Sequence, residues 1–161
     1  MARQQYEKEE DLTNERIAAE KWLNDQVYPL IDECEMIKLD DKAPADFLIK
    51  YVNGKPICLL EIKCRNISYF QYDTIMVSRQ KYENLVRLSK EKQIPAYIVW
   101  HLKNDDSMVF TDVKNKFDQS KIGGRTVDTR DAWDIEEMAH WSFLNVDATS
   151  DTDAIGFEVL K

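Results

Sequence analysis

Sulfur and turn residues are scarce in this 161-residue chain, which has three cysteines, four glycines, four prolines and two histidines. Cys34, Cys58 and Cys64 form an odd, sparse set that cannot close a disulfide framework, so a reducing cytoplasm is the expected compartment. So little glycine and proline, beside 43% hydrophobic residues, excludes a collagen-like or disordered chain. No apolar run approaches the roughly 18 residues of a membrane span, and the opening residues Met1 to Glu7 hold no apolar signal core; neither membrane insertion nor secretion is expected. The cysteines, His101 and His140 show none of the C-x2-C or H-x3-H spacings of a zinc site, and Cys58 and Cys64 fall on an apolar face. No nucleophile elbow accompanies either histidine, which argues against a serine or cysteine hydrolase. The length suits one domain, residues 1–161, with a core over about 13–113 and a less regular extension over 114–161.

The net charge of -8 speaks against nucleic acid, but its distribution does not. Between Lys42 and Lys103 there are 11 Lys and Arg against 5 Asp and Glu, which leaves 11 against 25 in the two flanks. A basic middle between acidic flanks suits a nucleic-acid face on a protein whose other faces repel it, and suits a plain solvated surface as well.

Periodicity places the elements. Ala18, Ala19, Trp22 and Leu23 recur at helical spacing and predict a helix from Thr13 to Gln26, with Glu15 on its buried face and Glu20 pointing away. Leu30 to Leu39 reads as a strand. The clearest local signal is Asn53-Gly54 between Asp46 to Val52 and Lys55 to Arg65, the signature of a two-residue primed hairpin turn. That turn pairs Val52 with Lys55, Leu48 with Leu59 and Asp46 with Glu61. Alternation gives one apolar face of Phe47, Ile49, Cys58, Leu60, Ile62 and Cys64, and a second face of Asp46, Leu48, Leu59, Glu61 and Lys63. Downstream, a helix is expected over Val77 to Gln93, strands over Pro95 to Leu102 and Met108 to Val113, a turn at Gly123-Gly124, a helix over Asp131 to His140 and a closing strand over Ile155 to Leu160. Tyr69, Phe70 and Tyr72 read as a covering loop in preference to a base-stacking platform. Arg79, Lys81, Arg87, Lys90 and Lys92 read as a solvated helix face in preference to a phosphate track.

Two acids facing each other on a sheet repel unless a cation or a shared proton compensates. Magnesium is the simplest compensation, because it prefers carboxylate oxygens, keeps several waters and leaves room for a phosphate. Lys63, two residues beyond Glu61 on the same face, would steady charge developing on phosphoryl oxygens. Glu15 could reach the site as an outer ligand or water anchor, and the backbone carbonyl of Ile62 is the nearest further ligand.

Pro44-Ala45-Asp46, fourteen intervening residues and Glu61-Ile62-Lys63, preceded by a helix carrying Glu15, resemble the PD-(D/E)XK nuclease superfamily of restriction enzymes, Holliday junction resolvases and lambda-type exonucleases. Ala45 is inserted relative to the shortest form of that motif. The resemblance covers roughly residues 13–103 and implies an α/β fold with a restriction-endonuclease-like core, a central mixed sheet flanked by helices in the order α-β-β-β-α-β. It further implies hydrolysis of DNA phosphodiesters with magnesium, manganese being a substitute, with Asp46 and Glu61 as ligands, Lys63 as the catalytic lysine and Glu15, or failing it Glu20, as the helix acid. Gln80 or Lys81 would match an accessory polar residue of some members, and small members often act as homodimers. The runner-up reading is a catalytically silent member of the same fold that binds nucleic acid or protein. The intact Asp46, Glu61 and Lys63 set favours the enzyme.

Overall fold

The computed structural model describes residues 9–27, 33–123 and 136–148. Helix α1 (Glu9–Trp22) runs into a π-helical turn (Leu23–Val27) and is followed by β1 (Cys34–Lys38), β2 (Phe47–Tyr51), β3 (Pro56–Arg65), β4 (Thr74–Ser78), α2 (Arg79–Lys92), β5 (Ala96–Leu102), β6 (Ser107–Asp112), β7 (Gln119–Gly123), β8 (Glu136–Ser142), a short 3-10 turn (Phe143–Asn145) and β9 (Asp147–Ala148). Six strands form a central sheet in the order β1-β2-β3-β5-β6-β9. The β3–β5 pair is parallel and the other neighbours are antiparallel, so the sheet is mixed. A parallel pair needs a crossover, and the segment through β4 and α2 supplies it.

Alternation along β3 makes two cores, one on each face of the sheet. Phe47, Ile49, Cys58, Leu60 and Ile62 pack with Ala18, Ala19, Trp22, Leu23 and Val27 of the first helix and its π turn. Leu59, Ile98, Trp100 and Leu102 face the other way, toward Tyr82 and Leu85 of α2 and toward Ile75, Val77, Ala139, Trp141 and Phe143. Helices therefore flank both faces, and α1-β1-β2-β3-α2-β5 is the expected order once β4 is set aside. Each large side chain buried in these cores stabilises the fold by roughly 1.5–3 kcal/mol.

Several boundaries differ from the sequence reading for identifiable reasons. The first helix starts at Glu9 and ends as a π turn. Val77 belongs to β4, and α2 starts only at Arg79 because Ser78 takes the N-cap, its hydroxyl accepting from the Lys81 N–H at 3.4 Å. The helix expected over Asp131 to His140 is corrected: residues 136–142 are strand β8, sandwiched between β4 and β7 in a second, three-stranded antiparallel sheet. The described part of the extension thus packs into the α2-side core. Gly123 closes strand β7, while the strand expected over Ile155 to Leu160 lies outside the described residues. Of the expected covering loop, Tyr69 packs on the core with its ring 5.6 Å from that of Phe143, Phe70 lies 4.9 Å from Phe143 but stays 45% exposed, and Tyr72 is 58% exposed.

The hairpin keeps its predicted register near the site and loses it at the turn. Phe47 pairs Leu60, Leu48 pairs Leu59 and Ile49 pairs Cys58. Beyond them the turn is closed by the Gly54 N–H to the Tyr51 carbonyl and the Tyr51 N–H to the Lys55 carbonyl, both 2.8 Å, so Val52 and Lys55 are not paired. Gly54 has φ +98° whereas Asn53 is not in the left-handed region, so this is a three-residue loop with a glycine bulge in place of the primed turn. A second irregularity, with Lys50 opposite Pro56, inserts Ile57 and restores the register.

Candidate active site

Glu61 and Lys63 lie on the α2-side face of β3, where that face stops being apolar. Glu61 is 3% exposed. A carboxylate so buried needs compensation, and two ammonium groups supply it at one oxygen: Lys63 Nζ stands 2.8 Å and Lys81 Nζ 3.5 Å from Glu61 Oε2. Lys63 comes from the same strand face two residues on. Lys81 comes from the first turn of α2 and is half-exposed.

Asp46 sits in the bend just before β2, one residue outside the ladder, and so is not the laddered partner of Glu61 that the primed turn implied. Its backbone N–H donates to the Leu60 carbonyl at 2.9 Å. Its carboxylate Oδ2 accepts the Ile62 N–H at 2.8 Å and so caps the strand edge where β2 has ended. The N–H and C=O of one strand residue point to the same edge, so the Ile62 carbonyl is also directed toward that end of β2. Burial first, and the nearby Glu61 charge second, push the Asp46 carboxyl up to about 6, against the lowering effect of the Ile62 N–H, Lys63 and Lys81. Burial likewise holds Lys63 below its ordinary range, although Glu61 opposes it. For Lys81 burial is the largest single influence and acts downward, but the Glu61 and Asp46 carboxylates and the hydrogen bonds of its ammonium together outweigh it and the net shift is upward.

Asp46, Glu61, Ile62 and Lys63 are therefore gathered at one end of the β2–β3 hairpin. Glu15 is half-buried on α1, the helix that covers the opposite face. Among the described residues no group of three or more His, Cys, Asp or Glu side chains stands at metal-holding spacing, so Glu15 is not a third acid beside Asp46 and Glu61. Glu20 pairs with Arg16 at 3.4 Å on the outer side of α1. Gln80 donates to Asn84 at 3.0 Å. The chemistry of the remaining set fits a hard divalent cation: two carboxylates, one of them made reluctant to ionise by burial and then by its anionic neighbour, beside a main-chain oxygen.

Lys81 is the residue that helical patterning placed on the solvated face of α2. Only the tight entry from β4, fixed by the Ser78 cap, shows that the first turn points back over Glu61. The same entry creates a shallow cleft lined by Arg79, Gln80, Glu83, Glu136 and Glu137. There Arg79 donates to Glu83 at 3.1 Å and to Glu137 at 2.8 Å, clamping α2 to the small sheet. Glu137 belongs to the strand misread as helix, which hid this clamp. On the other side of the central sheet Asp106 joins Lys21 at 2.8 Å and His101 at 2.6 Å, tying α1 to the β5–β6 turn.

Among the described residues no helix is long and apolar enough to cross a membrane. No curated protein matches the chain. Two solved structures resemble it at low identity: the Holliday junction resolvase Hjc of Archaeoglobus fulgidus, 14% identical with a TM-score of 0.45, covering 66% of this chain and 78% of its own; and D212, a nuclease from a fusellovirus, 11% identical with a TM-score of 0.45, covering 86% and 83%. The family described as "Phage putative PDDEXK endonuclease" matches residues 1–147, which include every element of the hairpin site and both flanking helices. The chain belongs to this phage PDDEXK endonuclease family.

Proposed function

We propose that the protein is a metal-dependent deoxyribonuclease that hydrolyses phosphodiester bonds in DNA with magnesium, or manganese in its place, at Asp46, Glu61 and Lys63. The observation that carries this reading is the buried convergence of Glu61 and Lys63, 2.8 Å apart, with an Asp46 whose carboxyl is raised beside them. Family membership supports it.

Asp46 and Glu61, with the carbonyl of Ile62, would hold the cation. A divalent ion bound there supplies Lewis-acid polarisation of a phosphoryl oxygen and favours ionisation of a nearby water. The chain's own groups do the rest. The Ile62 N–H fixes one Asp46 oxygen and leaves the other available. Lys63, mostly withdrawn from solvent, places an ammonium where negative charge grows on the phosphoryl oxygens, and its partial desolvation strengthens that interaction. In this reading Glu15 acts as an outer water anchor and two copies of the chain work as a homodimer on one substrate. An odd, sparse set of three cysteines suits work in a reducing cytoplasm.

The test is cleavage of linear, nicked, branched and single-stranded DNA with magnesium, with manganese and with chelator. Cleavage of at least one form that needs the metal and disappears in Glu61→Gln is expected. Absence of metal-dependent cleavage on all four, with DNA binding intact, would replace the enzyme by the silent binding module.

A further inference from the structure

Glu61 offers one oxygen, Oε2, to two lysines that are not equivalent. Lys63 is held at 2.8 Å with 16% of its side chain exposed; Lys81 stands at 3.5 Å with 54% exposed. The longer contact is at the outer limit of a hydrogen bond, so the Lys81 end is loosely held. Its position is also electrostatically unfavourable apart from Glu61. Lys81 lies in the first turn of α2, where unpaired N–H groups make the helix end positive, and that turn contains no acidic residue. Lys63 adds a second positive charge beside it. Glu61, with Asp46 behind it, is what draws this ammonium inward.

We propose that Lys81 is a displaceable counterion of the site: it shares Glu61 with Lys63 until a divalent cation takes the carboxylate, and is then released toward the phosphate backbone of the substrate. This rests on the reading of Asp46 and Glu61 as holders of the cation. Once Glu61 is engaged elsewhere, both Lys63 and the positive end of α2 repel the Lys81 ammonium, and its flexible four-carbon stem lets it swing outward. The same positive helix end favours an incoming phosphate. One lysine thus guards the empty carboxylate and then contacts the substrate. Lys63, fixed from its own strand, stays in place.

The experiment is titration of manganese into the DNA-free full-length protein by calorimetry, comparing the parent with Lys81→Gln, Lys81→Arg and Glu61→Gln. Removing a competing charge of this exposure should tighten manganese binding in Lys81→Gln by about two- to five-fold, the range that a half-exposed ion pair supports. Lys81→Arg, which keeps the charge, should stay near the parent value. A Lys81→Gln protein that binds manganese with parental or weaker affinity overturns the counterion role and leaves the metal site standing. A parent that binds no manganese, or a Glu61→Gln variant that binds it as the parent does, overturns the metal site and the proposal together.

The release step is read from affinity for a cleavage-resistant phosphorothioate DNA, which leaves both carboxylates and Lys63 in place. With manganese, Lys81→Gln should lower the salt slope of DNA binding by about one unit, the signature of one lost phosphate contact. With chelator the change should be smaller. Equal changes under both conditions would show a lysine that contacts phosphate whether or not Glu61 is occupied, and would overturn the release.

Discussion

The two faces of strand β3 are built to opposite rules. Toward α1, Cys58, Leu60 and Ile62 continue an unbroken apolar surface under Trp22, Ala18 and Ala19, and the polar side chains that touch this side, Lys21, His101 and Asp106, remain at its margin. Toward α2, Leu59 is apolar, but Glu61 and Lys63 bring a pair of opposite charges into a buried position, and Lys81 from another element shares the same carboxylate oxygen. The first face gains stability from every residue. The second gives up apolar contact at two positions and keeps a carboxylate pair that repels. Period-two alternation lets one strand do both, because neighbouring residues serve different cores.

The largest way to break the comparison is on the α1 face. Trp22 is fully buried against Tyr97 and Phe110, at ring separations of 5.4 and 5.6 Å, so Trp22→Ala should lower unfolding free energy by roughly 3–5 kcal/mol in urea titration. The variant that remains folded should keep its response to divalent metal, since Glu61, Lys63 and Lys81 lie on the other face of β3.

The α2 face should show its cost as a pH dependence. Asp46 is raised from 3.8 to about 6 in the folded protein, so protonated Asp46 favours the native state. Its contribution is fully present below pH 3.8 and is lost as pH rises through about 6; at 1.36 kcal/mol per unit, metal-free stability should fall by roughly 2–3 kcal/mol from this group alone. Asp46→Asn should remove that fall while still accepting the Ile62 N–H. Chemical unfolding of both proteins between pH 4 and pH 7 in chelator checks it, and parallel curves would count against the repelling pair.

A smaller effect sharpens the contrast at the helix that carries Lys81. Ser78→Ala removes a cap hydrogen bond that is already long at 3.4 Å, so a loss near the lower end of the usual range, roughly 0.5–1 kcal/mol, is expected in thermal unfolding. Because the cap sets where α2 begins, manganese affinity should shift with it, whereas Trp22→Ala should leave it unchanged.

Much of this was legible in the chain. Alternation from Phe47 to Ile62 predicts both faces and the register at Leu48 and Leu59, although the turn at Asn53-Gly54 has a different form; the bulge at Ile57 offsets the extra loop residue, and the apolar pattern had already fixed which residues face which core. Lys63 beside Glu61 follows from a two-residue spacing on a strand. What was not legible depends on contacts between distant segments. Residues 136–142 contain good helix formers, Glu, Met and Ala, and become a strand because β4 and β7 pair on both sides of them. Helical patterning groups Lys81 with its solvated neighbours and the family resemblance offers it beside Gln80 as an accessory polar residue; β4 and the Ser78 cap set the direction of α2 that brings Lys81, and not Gln80, to Glu61. Asp46 was expected in the ladder, but the bend after Ala45 turns its carboxylate to the strand edge.

The measurement that tests the central claim most directly is the comparison of cleavage rate and DNA affinity in Lys63→Ala and the parent at saturating manganese. The account predicts a rate lower by roughly a hundredfold or more, because a preorganised charge aimed at the reacting phosphate is lost, with affinity nearly unchanged. A rate and an affinity that fall together, in step with removal of an ordinary surface lysine such as Lys90, would contradict it.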